Sequence, residues 1–82
     1  MERKLIYDPE GLKAFAKHLV SVRKKYAFSQ EKLAYESGLA LSQIARIETV
    51  KINPTLSTIF AIARTLKVPL SELFDFKLPA KK

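Results

Sequence analysis

The chain has 82 residues, no cysteine, and 15 lysines and arginines against 8 aspartates and glutamates, a formal net charge of +7. One domain is expected over residues 1–82, with a core from about 9 to 75. Disulfides and thiolate-metal sites are excluded as sources of stability, and no apolar run reaches the roughly 18 residues that a membrane-spanning helix needs.

The basic balance favours polyanions: DNA, RNA or an anionic surface. The opening Met1-Glu-Arg-Lys-Leu-Ile-Tyr-Asp8 turns polar and acidic too early for a signal peptide. A soluble cytoplasmic protein is therefore expected, nucleoid-associated when bound to DNA. Two glycines and four prolines leave few turns, which suits an all-α fold.

Asp8-Pro9-Glu10 has the composition of a helix start, with Asp8 as cap and Pro9 in the first turn. Leu12, Phe15, Ala16, Leu19 and Val22 recur at helical spacing, so a first helix is expected from about Pro9 to about Lys25. Ser29 caps a second helix, Gln30 to Ser37, which Gly38 ends in a left-handed conformation. A third runs from about Leu41 to Glu48 or Thr49. Pro54 forces Asn53 out of the helical region, so Lys51 to Pro54 is a loop. Thr55 caps a fourth helix, Leu56 to Leu66, with more apolar residues than one stripe needs. Ser71 is expected to cap a last short helix through about Phe74. For Leu5-Ile6-Tyr7 and the alternating Phe74-Asp-Phe-Lys-Leu78, two readings stand: a small two-stranded pairing, or frayed ends.

The segment from Ser29 to Glu48 carries the functional signal. Ala34 supplies the small residue that two steeply crossed helices need at their contact, and Gly38 supplies positive φ at the turn. Leu33, Leu39, Ile44 and Ile47 complete the buried side. At about 100° per residue, Leu41, Ser42, Ala45, Arg46 and Thr49 fall on the opposite face of the third helix, with Gln43 and Glu48 on its flanks. Such a stripe suits base edges in a major groove. Arg46 has the fork that fits guanine, Ser42 is a short hydrogen-bonder, and Leu41 matches a thymine methyl. Phosphate contacts are expected from Gln30 at the start of the second helix, and from Lys51, Asn53 and Thr55 before the fourth. Glu48 sits at the negative end of its helix dipole, an arrangement that a nearby cation would offset; Arg23, late in the first helix, is the candidate for a scaffold pair.

These residues resemble the phage lambda-repressor and Cro-like (Xre-type) helix-turn-helix family over about Phe15 to Phe74. The landmarks are Arg23, Ser29-Gln30, Leu33-Ala34, Gly38, Ile44, Arg46-Ile47-Glu48, Asn53-Pro54-Thr55-Leu56 and Leu66-Lys67-Val68-Pro69-Leu70-Ser71-Glu72-Leu73. The resemblance implies a compact five-helix domain that binds double-stranded operator DNA as a dimer. It implies an Arg23–Glu48 pair, a phosphate contact from Gln30, base reading by Leu41, Ser42 and Arg46, and a backbone or base contact from Gln43. Two departures stand out: Ala40 occupies the position where the family caps its third helix with Ser or Thr, and Val50 replaces a common glycine after that helix.

The expected function is a sequence-specific transcriptional regulator, a dimeric repressor or autoregulator on a palindromic operator. The alternative is a helical adaptor or antitoxin-like protein partner that keeps the fold without strong DNA binding. The apolar excess on the fourth helix and tail nominates Phe60, Ile62, Phe74, Phe76 and Leu78 for a homodimer interface. His18, the single histidine, has no acid pair, nucleophile or metal-ligand cluster around it in the sequence, so no enzyme activity, metal or cofactor is expected.

Overall fold

The computed structural model describes residues 6–80. Five helices follow one another: α1 (Pro9–Lys25), α2 (Gln30–Ser37), α3 (Leu41–Glu48), α4 (Leu56–Leu66) and α5 (Leu70–Leu73). No strand occurs among the described residues, and no helix there is long and apolar enough to cross a membrane.

Each helix start has a local cause. The Asp8 carboxylate accepts from the Gly11 N–H at 2.9 Å, Ser29 Oγ from Lys32 N at 3.0 Å, and Thr55 Oγ1 from Thr58 N at 3.3 Å. Gly11 is part of the first cap: a Cβ there would lie 2.8 Å from Asp8 Oδ2. Two helices lack a side-chain cap. At α3 the extended Ala40 offers only its carbonyl. At α5 the N-cap is Pro69, whose carbonyl accepts from Glu72 N at 3.0 Å. Ser71, expected as that cap, is instead inside the helix.

Four helix ends turn through the left-handed region, and only one of them at glycine. Gly38 has φ 80°; Ala27, Val50 and Lys67 have φ of 61°, 60° and 58°. At the three non-glycine ends the same pair of reverse hydrogen bonds closes the turn, the six-to-one bond and the five-to-two bond nested inside it. Phe28 N donates to Arg23 O and Ala27 N to Lys24 O; Lys51 N donates to Arg46 O and Val50 N to Ile47 O; Val68 N donates to Ala63 O and Lys67 N to Arg64 O.

The core draws one fully buried large side chain from every helix: Leu19, Leu33, Ile44, Ile62 and Leu73. α1 packs on α3 and α5, and α2 packs on α3 and α4. The broad apolar face of α4 is used here, since Ile59, Ile62, Ala63 and Leu66 are all buried. Ile62 is therefore a core residue and not the interface residue expected from sequence, because the four buried positions of α4 are the ones turned into the bundle.

The C-terminal alternation also has another cause than strand pairing. Phe76 N donates to Phe74 O at 2.9 Å, a tight turn. It brings both rings onto Phe15, with centroids 5.3 and 6.3 Å away. The Phe76 ring also lies 5.6 Å from the His18 ring. Phe76 is thus half-buried against the core of its own chain, and it also lines the groove that Phe74 and Leu78 border. Phe74 and Leu78 remain exposed. Leu5, at the other end of the expected pairing, lies outside the described residues.

Candidate nucleic-acid interface

The angle between α2 and α3 rests on small and apolar residues. Leu33 and Ala34 are buried on α2, Ile44 and Ile47 on α3, and Gly38 turns the chain between them. Leu39 packs on the edge of the same core. What α3 leaves outside is Leu41, Ser42, Arg46 and Thr49, all exposed, with Ala45 and Gln43 half-buried beside them. The Thr49 hydroxyl is turned back onto its helix, donating to Ala45 O at 2.8 Å.

The base of α3 is held by a polar hub. Arg23 donates from Nε to Glu48 Oε2 at 2.7 Å and from Nη2 to Oε1 at 2.9 Å, a two-point grip. Its third donor, Nη1, reaches Phe28 O at 2.9 Å. Gln30 Nε2 donates to Glu48 Oε1 at 2.8 Å. Both charged side chains are buried, with 9% and 5% of their surface exposed. Burial makes each charge dependent on its partner, so the hub fixes α1, the start of α2 and the end of α3 as one unit. Gln30 thereby has one amide hydrogen committed inside the fold and a second left to offer.

Two further groups of residues flank α3. At the start of α2, the N–H groups of the first turn open outward as they do at any helix start. Exposed Lys32 stands in that same turn, its Nζ 4.5 Å from the centroid of the Phe28 ring. The sequence reading passed over Lys32. The signal was present, because a cation in the first turn opposes the helix dipole and calls for a local reason. Beyond α3, Val50 does adopt the left-handed conformation that a β-branched residue resists, and its turn delivers exposed Lys51. Asn53 and Thr55 are exposed in the following loop. The Thr55 hydroxyl is engaged, capping α4 and meeting Thr58 Oγ1 at 3.2 Å.

A second polar cluster, also unforeseen, ties α1 to α5. The Tyr26 hydroxyl donates to both Glu72 carboxylate oxygens at 2.8 and 2.7 Å, and Lys25 Nζ donates to Oε2 at 3.1 Å. His18 Nε2 meets the Glu72 carbonyl at 2.7 Å. Since a carbonyl only accepts, His18 carries a proton on that nitrogen. Hydrogen bonds from Tyr26 and then Lys25 hold the Glu72 carboxyl below the usual carboxylate range, and the same bonds push Lys25 and Tyr26 up. Among the described residues, no group of three His, Cys, Asp or Glu is placed to hold a metal ion.

Comparison with known proteins places this geometry. Residues 19–73 match the helix-turn-helix family model HTH_3, more than half of the chain. The HTH-type transcriptional regulator PuuR of Escherichia coli is 38% identical over 66 residues, 80% of this chain and 35% of PuuR. The chain thus spans about a third of that relative's length. The crystal structure of the restriction-modification controller protein C.AhdI from Aeromonas hydrophila superposes with a TM-score of 0.73 at 35% identity, covering 77% of this chain and 96% of that one. A second controller, C.Esp1396I bound to a 19 base pair DNA duplex, superposes with a TM-score of 0.73 at 28% identity, covering 78% of this chain and 85% of that one.

Proposed function

We propose that this chain, which belongs to the HTH_3 helix-turn-helix family, is a DNA-binding transcription regulator that reads operator sequence with the outer face of α3. The observation that carries the reading is the pairing of an exposed α3 face with a buried hub at its base. Leu41, Ser42 and Arg46 are outside, while Arg23, Glu48 and Gln30 fix the helix that presents them. Arg46 is assigned the guanine edge, Ser42 a hydrogen bond and Leu41 a methyl contact. Gln43 borders them. The second Gln30 amide hydrogen, the first turn of α2 and Lys32 form one phosphate anchor; Lys51 and Asn53, with the start of α4 at Thr55, form the other. The likeness to C.Esp1396I, solved on a DNA duplex, supports the same partner here.

The finer proposal is a homodimer on a palindromic site, acting as repressor or autoregulator. Half-sites would then lie about one helical turn apart, roughly 34–36 Å. The adaptor alternative rested in part on surplus apolar residues of α4. Burial of Ile62 removes part of that support.

Selection from random-sequence duplex DNA with the purified protein tests the function. Recovery of an inverted repeat is expected. Recovery of no enriched sequence at low salt would overturn the assignment. Arg46→Ala should then flatten discrimination at one base position by about 1–3 kcal/mol while keeping most nonspecific affinity. A uniform loss across all sequences would reassign Arg46 to the phosphates.

A further inference from the structure

Phe28, just ahead of α2, is held by its backbone at both ends. Its N–H donates to Arg23 O at 2.9 Å, and its carbonyl accepts from Arg23 Nη1 at 2.9 Å. Its side chain is half-buried against the core. It stands one residue before the Ser29 cap, the place from which an apolar side chain staples the entry of a helix to its first turns. The arginine that fixes Phe28 is the one that grips Glu48 at the base of α3. Over the Phe28 ring lies Lys32 Nζ, 4.5 Å from the centroid.

The partner of a lysine decides what its charge can still do. Lys25 is paired with the Glu72 carboxylate at 3.1 Å, which offsets its charge. Lys32 forms no ion pair among the described residues, and the ring that holds it is uncharged. A ring face attracts an ammonium through its quadrupole and occupies one side of it, so the head is localised while its charge and its other N–H groups stay open. An unrestrained lysine loses rotamer freedom when it meets an anion, and one already localised loses less.

We propose that Phe28 is a positioning residue of the DNA interface: its ring holds the Lys32 ammonium ready for a backbone phosphate, and its double tie to Arg23 sets that contact in register with α3. The inference rests on the DNA-binding reading above and deepens it, adding a residue that acts through Lys32. The reading helix and the phosphate contact beside it then share one buried origin, Arg23.

A double-variant cycle on a selected operator tests it, after thermal melts establish that each variant folds. Phe28→Leu keeps an apolar staple and removes the ring; Lys32→Met keeps most of the side-chain length and removes the charge. Phe28→Leu should weaken operator binding about twofold to fivefold, the worth of an exposed cation–ring contact. Lys32→Met should lower the slope of log affinity against log salt by about 0.9, one phosphate contact. Added to Lys32→Met, Phe28→Leu should leave affinity unchanged, and Phe28→Tyr alone should bind as wild type does, since the ring remains. Equal losses from Phe28→Leu with and without Lys32 would reduce Phe28 to a packing residue and overturn the proposal, while leaving α3 as the reader. The contact is also read without DNA and without a variant. In the wild-type proton spectrum the ε-methylene of Lys32 should lie upfield of those of exposed Lys51 and Lys67, because it sits over a ring. An unshifted Lys32 would overturn the proposal even where the chain binds its operator. A wild-type chain that binds no duplex at all would overturn the DNA-binding reading, and the role given to Phe28 with it.

Discussion

At the residue scale, the helix ends show which signals a sequence displays. Gly38 was readable because glycine advertises a left-handed turn. Ala27, Val50 and Lys67 were not, because they adopt the same conformation against their own preference, held by the reverse hydrogen bonds that follow each helix. A left-handed L-residue costs about 1–2 kcal/mol, and glycine there recovers that less its larger unfolded-state entropy of roughly 0.5–1 kcal/mol. Lys67 is exposed, so Lys67→Gly removes no packing. A rise of about 0.5–1 kcal/mol in unfolding free energy is expected, seen as a melting temperature higher by about 2–8 °C. An unchanged or lower melting point would mean that the left-handed turn carries no strain. Ala40 offers the complementary case. Its extended backbone already has the conformation of a helix cap, and only the oxygen is missing. Ala40→Ser should add about 1 kcal/mol, and urea unfolding should show it as a later midpoint at unchanged slope.

At the scale of elements, the hub decides how three helices are held. The Arg23–Glu48 pair was legible because a glutamate at the wrong end of a helix demands a cation. The third arm from Gln30 was not, since amide partners leave no mark in a sequence. The helices themselves were legible from spacing and caps, with α1 to α4 in their expected places. The start of α5 and the fate of Phe76 were not, because both depend on what α1 presents to the tail: Phe15 and His18 draw Phe76 in, and alternation along five residues cannot reveal that. The hub also makes a strong prediction. Removing either charge leaves the other buried and unpaired, a loss of about 3–5 kcal/mol. A domain of this size has roughly that much net stability, so Arg23→Met or Glu48→Leu alone should be largely unfolded at 25 °C. The double variant should recover cooperative unfolding, since no uncompensated charge remains. Circular dichroism melts decide it, and a double variant at least as unfolded as either single one would sink the account.

At the scale of the whole molecule, polar and apolar surfaces divide the labour. The Glu72 latch sits between α1 and α5. Its carboxyl is lower in the folded state than in the unfolded chain, so its contribution is present above the ordinary glutamate range and fades as pH falls through the lowered value. Lys25 and Tyr26 are raised, so their share is present at neutral pH and fades as pH climbs past their ordinary values. Glu72→Gln should therefore melt earlier than wild type at neutral pH, and the two melting curves should converge in strong acid. One part of the surface is apolar instead. Leu70, 41% exposed, and half-buried Phe60 border a hollow of about 180 Å³ that Arg64 also lines. Leu56, Phe74 and Leu78, all exposed, border a groove of about 410 Å³. Leu56, Phe60 and Arg64 follow one another at four-residue spacing along a single edge of α4, so the two depressions share one ridge. A ridge of this kind on a small chain is where a second copy would gain most by covering apolar surface. Phe60→Glu, which places a charge at the middle of that ridge, should give a single-chain mass by light scattering at micromolar concentration, where the proposed dimer requires a two-chain mass of wild type. Binding to one half-site should survive in the variant, while binding to the full inverted repeat should lose its advantage over a single half-site. A wild-type mass of one chain would remove the dimer from the proposal and leave α3 reading alone.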